Sequence, residues 1–314
     1  MIAPTQSPKI RERLLGYALL ASGMGLVGTY VAFSRPLTEV FPVFLLAWLR
    51  FGIAAVAMLA WLARPTDEAP PSRTTWRALF VLSFFGNFLF SILMLNGVAL
   101  AGASSAGVVL AAMPALVGLM SWGFLGERPS ARIWLAIAFA ITGMLALATA
   151  PAPVQAAAGP TSGLALATGQ LLLLGCAACE ALYVVLGKRL TGSMSPKRIS
   201  ALINLIGCAL MTPFGLWQAQ SFDFSAVRAA DWGLLIFYSL AASMIATWLW
   251  LTGLRHVPAS HSGVFALALP VAASLVGVGL LGEPFSVTLV FALMCACAGI
   301  ALVAWPGRDP ARTN

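Results

Sequence analysis

The chain has 314 residues, of which 60% are hydrophobic and only 9% charged, with a mean hydropathy of +0.92. A soluble domain carries about 25% charged residues, so this composition cannot furnish a water-facing surface, and the bilayer must be the solvent for most of the chain. The formal net charge is +8, but the basic residues stand in short connections between apolar runs and form no stripe on a folded face, which weighs against nucleic-acid binding.

A helix needs about 20 mostly apolar residues to cross the hydrocarbon core. Ten such runs follow one another: 14–33, 41–63, 76–99, 103–125, 131–150, 163–187, 198–217, 232–253, 259–281 and 286–305. In lipid only helices and closed barrels satisfy their backbone polar groups, and the continuous runs lack the alternation of barrel strands. The expected fold is therefore an all-α integral membrane protein with ten transmembrane helices. The first run is too long, and too much membrane follows it, for a cleaved signal peptide. With a cytoplasmic N-terminus, fifteen Lys and Arg fall on the cytoplasmic side and only Arg35 and Arg228 on the other, which predicts both termini in the cytoplasm. The five cysteines (Cys176, Cys179, Cys208, Cys295, Cys297) lie inside apolar runs and read as packing residues.

The fourth and ninth runs carry one block twice. Ala103–Glu127 reads ASSAGVVLAAMPALVGLMSWGFLGE and Ala259–Glu283 reads ASHSGVFALALPVAASLVGVGLLGE, identical at 11 of 25 positions. The 156-residue offset also relates Trp76 to Trp232, Ser83 to Ser239, Gly97 to Gly253 and Gly143 to Gly299, and an offset of 153 relates Tyr30-Val31 to Tyr183-Val184. Each half holds five runs, and an odd number makes the second half enter the membrane from the other side. The expected organisation is two inverted five-helix repeats, 14–150 and 163–305. Many secondary transporters build two interchangeable states around one central site in this way.

Taken in chain order, the candidate functional residues begin with Tyr30 in the first run, whose counterpart is Tyr183 in the sixth. Arg50, within the second run, costs on the order of 3 kcal/mol unless partnered or hydrated; it suits a substrate carboxylate, and snorkelling or carbonyl pairing suits it equally. In the third run Ser83, Asn87 and Ser91 recur every four residues on one helix face, and their counterparts Ser239, Ser243 and Thr247 do the same in the eighth. Two matching polar stripes at mid-membrane depth suit opposite walls of a hydrated cavity; small polar side chains also glue helices or bond back to their own backbone. Pro114 and Pro270, halfway along the fourth and ninth runs, are expected to kink their helices and serve as hinges. Gly107 and Gly263 allow close helix contact nearby. Glu127 and Glu283 close the two blocks as a turn and gate-edge device. Glu180, in the sixth run, is the only acid well inside a run; it suits a coupling proton, with structural pairing to Lys or Arg as the competing reading. His261 suits a proton-linked gate or a plain interfacial histidine. Met94, Met113, Trp248 and Phe265 complete the candidate lining.

Two strings fit GxGxxG, Gly23–Gly28 and Gly277–Gly282, but neither follows a strand or opens a soluble helix, so dinucleotide binding fails its context. There is no Walker A sequence, no HExxH and no acid-rich cluster, so no cofactor, resident metal or catalytic set is expected.

With these residues in view, the chain resembles the drug/metabolite transporter superfamily, in particular its EamA-type ten-helix exporters. The resemblance is carried by Ala103-Ser104, Gly107, Pro114 and Leu125-Gly126-Glu127, by Ala259-Ser260, Gly263, Pro270 and Leu281-Gly282-Glu283, and by Arg50. It implies a basket-like bundle with a cavity among the first, third, fourth, sixth, eighth and ninth helices. It also implies export of amino acids or related small metabolites across a bacterial inner membrane. The second copy departs at His261 and Ser262, where the first has Ser105 and Ala106. Efflux of amphipathic cations is the rival in the same class, and an intramembrane enzyme on a lipid-linked substrate the rival in another. The expected partners are a small-molecule substrate and membrane lipid. The sequence leaves the oligomeric state open, and a monomer suffices for this reading.

Overall fold

In the computed structural model, residues 10–66, 68, 70–149, 163–281 and 287–304 are described. They are helical almost throughout, with no strand among them. The α-helices are α1 (Ile10–Val40), α2 (Val43–Ala57), α3 (Arg73–Ser83), α4 (Phe90–Leu110), α5 (Met113–Leu125), α6 (Ala131–Ala148) and α7 (Gly163–Thr191). They continue with α8 (Pro196–Ala219), α9 (Ala229–Ser239), α10 (Thr247–His256), α11 (Ala259–Ser262), α12 (Ala268–Leu281) and α13 (Val287–Ala304). Among the described residues five stretches are long and apolar enough to cross a bilayer: Arg73–Met94, Leu164–Thr191, Pro196–Ala219, Ala229–His256 and Val287–Ala304. Large apolar side chains such as Val56, Phe124, Leu164, Leu171, Trp217 and Val287 stand on the outside. A water-facing helix keeps that surface polar; here it is the face presented to lipid. The molecule is a multi-pass membrane protein.

Two wide-turn segments interrupt the α-helical ladder at corresponding places. Phe84–Leu89 joins α3 to α4 as a π-helix, and Leu240–Ala246 joins α9 to α10 in the same way. At the end of the first, the Phe90 amide donates to the Phe85 carbonyl five residues back. Such π turns are rare and occur often at functional sites.

Elsewhere the two halves differ. In the second, α10 ends at His256 and the chain turns through Val257 and Pro258 before α11. The first half is expected to break near residues 100–102, yet α4 runs on to Leu110 and stops only at Ala111-Ala112. The position 156 residues before Pro258 is Gly102. Proline removes the amide that a continuing helix needs, whereas glycine lacks only the side chain. The two prolines expected as kinks sit where helix restarts. Pro114 is in the first turn of α5, and Pro270 is in the first turn of α12, after a 3-10 stretch over Gly263–Leu267. In a first turn the missing proline amide costs no hydrogen bond.

Helix packing pairs α2 with α8, α6 with α13 and α4 with α7, while α1 lies against α10 and α12. The main core draws Tyr17, Leu20, Met113, Ile137, Val184, Ile203, Leu251 and Phe265 from most of these helices. A second core, where the end of α1 and the start of α2 meet α9, gathers Leu37, Phe41, Leu45, Leu46 and Leu235.

Candidate functional site

The two π segments converge on one turn of α8. Ser83 Oγ donates to the Ile203 carbonyl at 2.8 Å, and Asn87 Nδ2 donates to the same oxygen at 3.2 Å and to Ser83 Oγ at 3.3 Å. From the next residue, Asn204 Nδ2 donates to the Ser243 carbonyl at 3.0 Å and to the Ser200 carbonyl at 2.8 Å. Successive residues of one helix thus hold both polar stripes. Three further stripe hydroxyls bond back to their own helices: Ser91 to the Asn87 carbonyl, Ser239 to that of Leu235 and Thr247 to that of Ala242. Ser83, Ser239 and Ser243 are buried, whereas Asn87, Ser91 and Thr247 are half-buried.

Glu180 approaches the same region from α7. Along that helix Cys176 Sγ donates to the Phe90 carbonyl, and the Tyr183 ring lies so close to Gly86 that a Cβ there would collide with it. Residues 176, 180 and 183 share a helix face at this spacing, so Glu180 lies on the side of α7 that meets the first π segment. The side chain of Tyr30, the counterpart of Tyr183, lies outside the described residues, as does all of Glu283.

Other candidates form a second group at the α5–α11 contact. Gly263 packs on Pro114, where an added Cβ would lie 3.1 Å from Pro114 Cα. Phe265 is buried and stacks on Tyr17 at 5.5 Å between ring centroids, and Met113 belongs to the same core. Tyr17 Oη and His261 Nδ1 are 2.9 Å apart. Glu127 explains the block ending Leu-Gly-Glu. Gly126 ends α5 in the left-handed region at φ +68°, which glycine adopts without steric cost. The chain turns there, and the Glu127 carboxylate accepts from the amides of Ala259 and Ser260, each at 2.9 Å. Gly107 lies within α4, Met94 is half-buried on the same helix, and Pro270 stands in α12.

Two candidates lie beside the α8 group. The Arg50 guanidinium lies 4.4 Å from the Phe51 ring centroid and 5.8 Å from that of Tyr238, which packs against Ala241 and Ala242 of the second π segment. Trp248 pairs with Trp61 at 6.2 Å, with Lys197 Nζ, in the first turn of α8, 5.9 Å from its ring.

Several residues here escaped the sequence reading. Asn204 was findable as an amide inside an apolar run. Glu68, in the connection after α2, accepts from the Ser195 amide at 3.1 Å and pairs with Arg198, tying down the start of α8. Lys188, in the last turn of α7, donates to the Leu254 carbonyl at 2.7 Å. Their partners lie far along the chain, and no local pattern announces them.

The EamA-like transporter family model matches residues 14–149 and again residues 167–305. The chain is 32% identical over 305 residues to the uncharacterized transporter YetK of Bacillus subtilis (strain 168), covering 96% of this chain and 90% of that one. It is 28% identical over 244 residues to the uncharacterized transporter YwfM of the same organism, covering 76% and 75% respectively. A protein crystal structure superposes on it with a TM-score of 0.73 at 21% identity, over 93% of this chain and 96% of the other, which shows a shared fold.

Proposed function

Because the chain belongs to the EamA-like transporter family, we propose that it is a secondary transporter exporting amino acids and related small metabolites, aromatic and hydrophobic ones included, by alternating access. In this reading ten transmembrane helices form two inverted five-helix repeats, 14–150 and 163–305, in the bacterial inner membrane with both termini cytoplasmic. The observation that carries it is a contact made twice. Gly97 packs on Leu173 and the Gly169 carbonyl, and Gly253 packs on Leu20 and the Gly16 carbonyl. These residues correspond by the offsets of 156 and 153 already noted, so each half grips the other through equivalent surfaces. Two such grips related by inversion give alternating access its pair of exchangeable states.

Substrate recognition in this reading draws on both groups and on Arg50. Asn87, Ser91, Ser243 and Thr247 supply polar anchors, Tyr183, Met94, Met113 and Phe265 apolar walls, and Arg50 a charge for a carboxylate. Few polar groups on an apolar lining suit an amphipathic solute. The decisive experiment is uptake of a panel of labelled amino acids by proteoliposomes, with and without a pH gradient. Flux of none of them sinks the amino-acid reading. Reporter fusions are expected to read periplasmic at Pro153 and Phe222 and cytoplasmic at Pro70 and Gly192; any reversal would break the inverted arrangement.

One observation favours efflux of amphipathic cations instead, namely Glu180 on the α7 face that meets the first π segment. If that reading holds, Glu180→Gln abolishes cation efflux while amino-acid flux is unchanged. Loss of amino-acid flux in the same variant assigns the carboxylate to the exporter cycle.

A further inference from the structure

The turn between α10 and α11 is gripped by charged groups from two other helices. On the α11 side, both oxygens of Glu127, at the end of α5, accept from the Ala259 and Ser260 amides. On the α10 side, Lys188 at the end of α7 donates to the Leu254 carbonyl at 2.7 Å and to the Arg255 carbonyl at 3.4 Å. The signs are those each helix end attracts, an anion at exposed amides and a cation at exposed carbonyls. Glu127 and Lys188 are also within electrostatic reach of one another. Behind them Tyr17 ties α1 to the same corner, through His261 Nδ1 at 2.9 Å and by donation to the Val303 carbonyl at 3.4 Å. In sequence the opposite corner keeps the two charges, Glu283 for Glu127 and Arg35 for Lys188 at the offsets of 156 and 153, but has Gly102, Ser105 and Gln170 where this corner has Pro258, His261 and Tyr17.

We propose that Glu127 and Lys188 form a charged clamp holding the α10–α11 corner shut against α5 and α7, with the Tyr17–His261 contact as its inner bolt, and that the transport cycle requires its release. Each Glu127 bond is charge-assisted, and such bonds are roughly twice as strong as neutral ones. Gly126 aims the carboxylate, and Pro258 fixes the corner it grips. The bolted corner therefore distinguishes the two ends of an otherwise doubled molecule. For its consequence in flux the proposal rests on the transporter reading, while the clamp itself can be measured without substrate.

The test uses the full chain carrying Ser262→Cys, a fully buried position on α11, purified in detergent and labelled with a polar maleimide. The same chain without that substitution supplies the background from native cysteines. Labelling is expected to be slow in the parent and about tenfold faster in Glu127→Gln, the factor that loss of one charge-assisted bond gives in an opening equilibrium. Lys188→Met, which leaves the Glu127 bonds in place, is expected to accelerate it as well. Glu68→Gln frees the start of α8 and not this corner, and is expected to label at the parental rate. Parental rates in both clamp variants overturn the proposal, as does equal acceleration in Glu68→Gln, which would signify general loosening. Parental flux in fast-labelling variants overturns the role in transport. Absence of flux from the unsubstituted protein for every solute sinks the transporter reading and leaves the clamp standing.

Discussion

Gly253→Ala is expected to lower the apparent melting temperature of the detergent-solubilised protein by several degrees, and by more than Gly97→Ala does. An added Cβ at Gly253 meets the Gly16 carbonyl oxygen at 2.9 Å and Leu20 Cγ at 2.8 Å. At Gly97 the same atom meets Leu173 Cγ at 2.8 Å but the Gly169 carbonyl only at 3.3 Å. A leucine side chain can shift by a few tenths of an ångström, whereas a backbone oxygen moves only with its helix. Overpacking a close contact costs about 1–3 kcal/mol, and Gly253 offers less relief. Gly25→Ala and Gly233→Ala, whose added Cβ meets nothing within 4 Å, are the controls and are expected to melt with the parent. If Gly253→Ala melts with these controls, the grip of α10 on α1 is not a close contact and the doubled architecture loses its best support.

The doubled block illustrates what a sequence can disclose about such a molecule. Leu-Gly-Glu is a local instruction, since a helix ends where glycine can turn left-handed, and Gly126 ends α5. The prolines are less explicit: Pro114 and Pro270, expected as kinks midway along two runs, stand in first turns, whereas Pro213 stays inside α8. Composition disclosed the bilayer, since each residue contributes independently. The π segments were not legible. Phe84–Leu89 reads FFGNFL and Leu240–Ala246 reads LAASMIA, and neither string carries a signal for a wide turn. The turn is fixed by partners on α7 and α8 that are more than 90 residues away for the first segment, Tyr183 against Gly86 and Ile203 against Asn87. Nor could spacing foresee that α4 continues past Gly102. Glycine permits a turn without imposing one, so its helix follows the long contact with α7. Trp248, which its place in the eighth run offers as a cavity wall, has its ring beside Trp61 and near Lys197 in the first turn of α8; both partners are distant in the chain, and no local pattern names them.

Asn204→Leu is expected to depress flux about tenfold while leaving assembly intact, and its double variant with Asn87→Leu should lose less than the two losses multiplied. Asn204 is 2% exposed, and its Nδ2 is committed to the Ser200 and Ser243 carbonyls. That commitment fixes the amide orientation, because a flipped group would set oxygen against two carbonyl oxygens. Its Oδ1 meets no donor among the described protein groups. Leucine of similar volume therefore removes an unsatisfied acceptor together with two bonds, so the effect on folding is small. The effect on the second π segment is not small, because the Ser243 carbonyl loses the donor that holds it to α8. Asn87→Leu acts on the first segment through the neighbouring Ile203 carbonyl. If one turn of α8 serves both segments, releasing either one already frees the helix, and the second substitution has less left to disturb. Equilibrium binding of a transported solute, measured beside flux, separates the possibilities. Weakened binding with unchanged turnover places these amides against the solute. Unchanged binding with slowed turnover makes α8 the element that coordinates the two segments. Wild-type values for both quantities in both single variants would remove the polar stripes from the transport cycle altogether.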